Sequence, residues 1–151
     1  LKTARLFAAA CRLGALAGRR DTAHVEALDR YGLRVGLAFQ LLDDVLDVGG
    51  AAKRTGKQRG TDLLDGTVTM PLILAAQSDP ELAGLDLRSV DSAEKAEELC
   101  DRIAATDALE KTRGRAIAFV ASGKAQLGKE LDARVRGLLE LVADRIVDRY
   151  A

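Results

Sequence analysis

The residues best placed to do chemistry close one apolar run, Gly36-Leu37-Ala38-Phe39-Gln40-Leu41-Leu42-Asp43-Asp44-Val45-Leu46-Asp47. On a helix, Gln40, Asp43, Asp44 and Asp47 share an arc of roughly 100°. Three carboxylates in one turn repel one another, and at a helix C-terminus the macrodipole disfavours them further. The arrangement calls for a cation. Around the rest of the helix, Leu33, Val35, Leu37, Ala38, Phe39, Leu41, Leu42, Val45, Leu46 and Val48 form a nearly continuous apolar surface, as in a helix buried in a bundle. The carboxylates are therefore expected to project into an interior cleft, since burying them unpaired is costly. Gly32 and Gly36 lie on or beside the same face and are expected to leave room above it. The plain alternative is a solvated helix end neutralised by the basic loop that follows.

That loop is the second candidate. From Gly49 to Thr69 the helical period stops, and Gly49, Gly50, Gly56, Gly60 and Gly66 separate Lys53, Arg54, Lys57, Arg59 and Asp62. Glycines let backbone N–H groups approach an anion and lysine supplies charge, so the loop reads either as a phosphate cradle or as a flexible connection. It is not a Walker A loop: Gly50 to Gly56 holds one intervening residue too many, and Gln58 stands where Ser or Thr is needed.

The elements that must position these groups are helices. Periodicity predicts one helix over residues 1 to about 18, ending near Gly18, and a second, capped by Asp21 or Thr22, running to about 48. Thr69 is expected to cap a helix with Pro71 in its first turn, and residues 78 to 90 to be irregular. Asp91 and Glu94 suggest a capping box for a helix over about 92 to 105. Asp107 opens a longer helix, and Asp132 a last one with Val135, Leu138, Leu139, Val142 and Ile146 on its apolar face. No strand pattern occurs, so the fold class is all-α, an antiparallel helical bundle. His24 lies far from the carboxylates and reads as an ordinary histidine.

Composition narrows the class. With 151 residues, 48% hydrophobic and 30% charged, the chain suits one domain or one half of a larger one. Lys+Arg and Asp+Glu are both 23, which leaves no net field for nucleic acid or an anionic membrane. Cys11 and Cys100 form neither a disulfide framework nor a zinc motif, and a reducing cytoplasm fits. No transmembrane run or signal peptide is visible, so no stable membrane insertion is expected. The chain begins inside a helical pattern without Met or an N-cap, and so reads as starting in the middle of a fold.

Taken together, these motifs resemble the trans-prenyl diphosphate synthases, the polyprenyl synthetase family, over roughly the second half of that fold. Lys2-Thr3 looks like the family's Lys-Thr pair and Phe39-Gln40 its Phe-Gln. Asp43-Asp44-Val45-Leu46-Asp47 looks like its second D-D-x-x-D motif. Gly56-Lys57, Gly60-Thr61-Asp62-Leu63, Gly66 and Thr69-Met70-Pro71 follow in the family's order and spacing. Two departures stand out. The family's first D-D-x-x-D motif is absent, and Thr67 stands where many members have Lys.

The resemblance implies an isoprenoid synthase-like fold and a Mg²⁺-dependent prenyltransferase in isoprenoid biosynthesis. An allylic diphosphate would lose diphosphate and be attacked by isopentenyl diphosphate. Asp43 would ligate Mg²⁺ directly, with Asp44 and Asp47 ordering its waters and Asp62 assisting. Lys2 and Lys57 would hold the diphosphate. Thr3 and Gln40 would hydrogen-bond near it, and Phe39 would line the floor beneath the reacting groups. Residues 1–151 would be the C-terminal half of the enzyme, inactive alone. Because the helix at 33–48 is apolar all round, the chain is expected to leave part of it exposed, and so to join the missing N-terminal half or a second copy as a homodimer. A non-catalytic subunit or partner-binding domain of the same fold is the competing reading. A terpene cyclase ranks last, since its Asn- or Asp-headed metal triad is missing.

Overall fold

The computed structural model describes residues 2–50, 59–129 and 131–150. Its helices are α1 (Lys2–Ala17), α2 (Thr22–Gly49), α3 (Thr61–Leu64), α4 (Met70–Ala75), α5 (Pro80–Ala83), α6 (Ala93–Ala104), α7 (Ala108–Lys124) and α8 (Ala133–Tyr150), with a 3-10 turn at Leu87–Ser89. No strand occurs among the described residues, and the fold is all-α. The chain forms two compact units, Leu1–Gln40 with Arg115–Ala151, and Leu41–Gly114. Helices α2 and α7 contribute to both.

Local chemistry explains the helix ends. Asp21 caps α2 by accepting the His24 N–H at 2.9 Å, with the His24 ring on the same oxygen, and these bonds hold its carboxyl below the usual range. Asp132 caps α8 through the Arg134 and Val135 amides. Ser92, rather than Asp91, caps α6, accepting from Lys95 N–H at 3.3 Å. Thr69 precedes α4 in extended backbone with Pro71 in the first turn, but its hydroxyl makes no cap bond. Helix α1 ends not on a left-handed Gly18 but on Arg19, at φ 51°. The Arg19 and Arg20 amides return to the Leu16 and Ala15 carbonyls at 3.0 and 3.1 Å. Residues 78–90 are more ordered than expected. Asp79 caps α5 and Asp86 the 3-10 turn, two elements too short to carry a hydrophobic period.

In the first unit, α1 lies directly on α2. A Cβ on Gly32 would come within 2.6 Å of the Phe7 carbonyl oxygen and 2.8 Å of Ala8 Cα. One on Gly36 would come within 2.7 Å of Ala4 Cα and 2.9 Å of Phe7 Cβ. These glycines therefore do not keep space open above the acidic face. Their missing side chains admit the backbone of α1, with buried Ala4 and Ala8 as the facing residues. On α2, buried Tyr31 donates its hydroxyl to the Leu139 carbonyl of α8 at 2.6 Å. Burial, with the nearby Cys11 and Asp144, raises the pKa of that hydroxyl.

In the second unit, Val48, Leu63, Leu72, Leu74, Ala75, Leu82, Val90, Ala96, Cys100, Ile103 and Ala108 form one core. Arg102 of α6 joins α5 to it by bonding Asp79 through Nε and Nη2, at 2.5 and 2.9 Å, and Glu81 through Nη1.

The large apolar side chains of α2 between 33 and 48 are buried or half-buried, so this helix is covered more fully than its all-round apolar surface suggests. Helices of the same chain cover it. Open apolar surface lies instead on α1, at Leu6, Leu13 and Leu16, and on α8, at Val135, Leu138, Leu141 and Val142. Of the apolar face read from spacing on α8, Val135, Leu138 and Val142 are exposed while Leu139 and Ile146 are half-buried, and Ala143 between them is buried.

Gly36→Ala should destabilise the chain by about 1–3 kcal/mol, because the added methyl meets backbone that cannot swing aside; urea unfolding measures it, and a neutral result would contradict the close approach. The Arg102 guanidinium holds the Asp79 carboxyl below its usual range. Its contribution is therefore full above the ordinary carboxylate pKa and lost as pH falls through the lowered one. Asp79→Asn should remove that part of the acid dependence of Tm.

Candidate functional site

At the end of α2 the acidic residues differ in environment. Asp43 is exposed, Asp47 half-buried and Asp44 buried, so the three are not uniformly recessed in a cleft as expected. The chain returns at Arg59 and is fastened to the same helix end. Gly60 N–H donates to the Asp47 carbonyl at 3.1 Å. The Asp47 carboxylate accepts the Thr61 and Asp62 amides, one on each oxygen, both at 3.2 Å. Arg59 Nε donates to the Val48 carbonyl at 2.9 Å, and Nη1 reaches Asp101 of α6 at the same distance. Asp62 is thereby brought to Asp43, Asp44 and Asp47. Burial first, then the charges of Asp47, Asp44, Asp43 and Asp65, raise its pKa to about 6.

Gly60 makes the return possible. Its φ of 73° is left-handed, and a Cβ there would come within 2.9 Å of Ala96 Cβ and 3.1 Å of Cys100 Sγ. Burial pushes the Cys100 thiol up to about 11, consistent with an inert packing role. Gly66 turns the chain again at φ 69°, its N–H on the Leu63 carbonyl, while Thr67 N–H bonds the Asp62 carbonyl. The Gly60 and Gly66 amides are thus engaged within the chain, which removes them from the expected phosphate cradle, and Arg59 spends Nε and Nη1 on Val48 and Asp101. The other cradle residues, Lys53, Arg54, Gly56 and Lys57, lie outside the described residues.

In the first unit, Lys2 is exposed at the start of α1. Thr3 Oγ1 donates to Gln40 Oε1 at 3.1 Å, so two residues expected near a diphosphate bond each other. The Phe39 ring meets Phe7, with centroids 5.6 Å apart and planes inclined by 34°.

Among the described residues, no three Asp, Glu, His or Cys side chains are grouped so as to hold a metal by themselves. The donors fit a different kind of site. Magnesium is commonly held by one or two carboxylates with waters and substrate phosphate oxygens, and an exposed Asp43 beside a crowded anionic cluster suits that division. Sequence reasoning missed Arg59 and Asp101 as structural partners. Arg59 reads as one more basic residue of the loop, and no local signal singles out Asp101.

The polyprenyl synthetase family profile matches residues 1–106. The chain belongs to that family. It is 32% identical over 148 residues to a geranylgeranyl diphosphate synthase of Methanosarcina mazei, covering 98% of this chain and 45% of that protein. It is 33% identical over 149 residues to heptaprenyl diphosphate synthase component 2 of Bacillus subtilis, covering 98% and 43%. A crystal structure of a polyprenyl synthase from Caulobacter crescentus, complexed with calcium and isoprenyl diphosphate, superposes with a TM-score of 0.87 at 40% identity, covering 99% of this chain and 47% of that one. The chain spans less than half the length of these relatives. Among the described residues, no helix is long and apolar enough to cross a membrane.

The two left-handed glycines offer a paired test. Gly66 has open space around its Cβ position, so Gly66→Ala should cost only the backbone term, about 1–2 kcal/mol. Gly60→Ala should cost about 1–3 kcal/mol more, because it also crowds Ala96 and Cys100. Equal losses in urea unfolding would mean that the packing of Gly60 on α6 is not tight.

Proposed function

We propose that this chain supplies the second aspartate-rich motif of a prenyltransferase that condenses an allylic diphosphate with isopentenyl diphosphate in isoprenoid biosynthesis. The observation that carries this reading is the gathering of Asp43, Asp44, Asp47 and Asp62, with the Asp62 pKa lifted to about 6. Such a cluster is poised for a divalent cation. Family membership supports the reading, as does the calcium and isoprenyl diphosphate named with the Caulobacter relative.

In this proposal Asp43, the exposed carboxylate, ligates Mg²⁺ shared with the diphosphate. Asp44 and Asp47 order the ion's waters and the adjoining backbone, and Asp62 adds charge. When bound, the ion neutralises the diphosphate as it departs. Lys2 and Lys57 would hold the diphosphate, Thr3 and Gln40 would hydrogen-bond near it, and Phe39, backed by Phe7, would line the floor under the prenyl group. The chain spans less than half the length of its relatives, and in this reading its D-D-x-x-D motif acts together with a first such motif. The open apolar residues of α1 and α8 suit a chain that functions in association, with an N-terminal half or as a homodimer. Free Cys11 and Cys100 suit a reducing compartment such as the cytoplasm.

A second reading, a subunit within a multi-component synthase, is favoured by the Bacillus relative's name as a component.

Pyrophosphate titrated calorimetrically into the full-length enzyme should bind at least tenfold more tightly with Mg²⁺ than without, a difference of about 1.4 kcal/mol or more. Asp43→Ala should abolish that difference. Equal binding with and without the ion would overturn the proposed site.

A further inference from the structure

Four carboxylates do not stay together unaided. Asp62 is carried on a segment that could relax its repulsion from Asp43, Asp44 and Asp47 simply by lifting away, so some contact must hold the segment down before any cation arrives. The contacts are at its leading edge. The last carbonyls of α2 have no partner within the helix, and Asp47 and Val48 supply two of them to the returning chain. Arg59 takes the Val48 carbonyl with Nε and Asp101 with Nη1. One planar fork thus spans a helix end and a neighbouring helix, which an ammonium on a flexible stem does not reproduce. A cation there also meets the negative end of the α2 dipole. The Arg59 side chain is mostly buried, while Asp101 is mostly exposed, so the bond to Val48 carries more weight than the ion pair.

We propose that Arg59 is a positioning residue: it clamps the returning segment to the end of α2, so that Gly60 seats on α6, Asp47 receives the Thr61 and Asp62 amides, and Asp62 is held beside Asp43 and Asp44 before metal and diphosphate bind. This rests on the metal–diphosphate reading above and adds to it a residue outside the family motifs quoted for this chain. Arg59 touches neither substrate nor metal and acts through the placement of Asp62.

The test uses the full-length enzyme with Mg²⁺ and inorganic pyrophosphate as probes, comparing wild type, Arg59→Met, Arg59→Lys, Asp101→Asn and Asp43→Ala. Arg59→Met should raise the Mg²⁺ concentration for half-maximal pyrophosphate binding by about ten- to a hundredfold, the usual consequence of losing a group that orients metal ligands. Binding of pyrophosphate without Mg²⁺ should be unchanged, as should the KM for isopentenyl diphosphate. Arg59→Lys should recover part of the loss and Asp101→Asn should lose little. Amide exchange at Thr61 and Asp62 should quicken in Arg59→Met without metal. That exchange readout, applied to the conservative Lys variant, decides the matter even if the Met variant folds poorly. Wild-type Mg²⁺ dependence and exchange in both Arg59 variants, with Asp43→Ala still impaired, would overturn the clamp and leave the metal site standing. Absence of Mg²⁺-dependent binding in the wild type would overturn both.

Discussion

The mutual repulsion of carboxylates at the wrong end of a helix is the constraint on which the second unit depends. Asp43, Asp44 and Asp47 stand where the α2 dipole is negative, and Asp62 is added to them by a chain that leaves the helix and comes back. The chain answers this in part with hydrogen-bond geometry. Both oxygens of Asp47 are turned to backbone amides, which makes one member of the cluster an anchor. Arg59 occupies the carbonyl of Val48 and Gly60 that of Asp47 itself. The cost that remains appears in the raised pKa of Asp62, where burial and like charges act together. Burial and like charge thus meet at one carboxylate, which is the residue the proposed metal site would relieve.

Holding α2 rigid is the task of the packing around it, and each unit does this differently. In the first, glycine removes the spacing that side chains would impose, and α1 meets α2 almost backbone to backbone at Gly32 and Gly36. Close approach of this kind tolerates little sliding, because any side-chain atom added at the contact collides with main chain. It also fixes the start of α1 against the middle of α2, which is what allows Thr3 to reach Gln40 and Phe7 to back Phe39. In the second unit the last turns of α2 enter an aliphatic core through Val48, and the short helices α3 and α4 complete that core beneath the returning chain.

Much of this was legible from residue types and spacing. The helical period and caps at Asp21 and Asp132 marked the long helices, because a long amphipathic repeat and an Asx side chain before it are local signals. The ordered run from Lys2 to Pro71 identified the family, which the profile match bears out. Misreadings arose where a residue's meaning depends on a distant partner. Gly32 and Gly36 read from spacing as room above the acidic face, and only the position of α1 shows that the space is filled. The outward stripe of α8 has the spacing of a core face, and spacing alone does not say whether a neighbour exists to cover it. Arg19 in a left-handed turn beside an available Gly18 has no local signature at all.

In the proposed site the acidic end of α2 is completed from outside. A protein-only cage around a divalent ion would need three or more donors converging on one point, and the described carboxylates do not converge in that way. Asp47 is committed to amides and Asp44 is buried, which leaves Asp43 as the carboxylate most open to an incoming ion. A site of this kind binds metal weakly by itself and more strongly when phosphate oxygens arrive to share the ion. Cation and diphosphate would then enter as one electrostatic unit, each supplying what the other lacks. That coupling suits a reaction in which the same diphosphate must first be held and then released as the leaving group, since the contacts that recruit it are the ones that stabilise its growing charge.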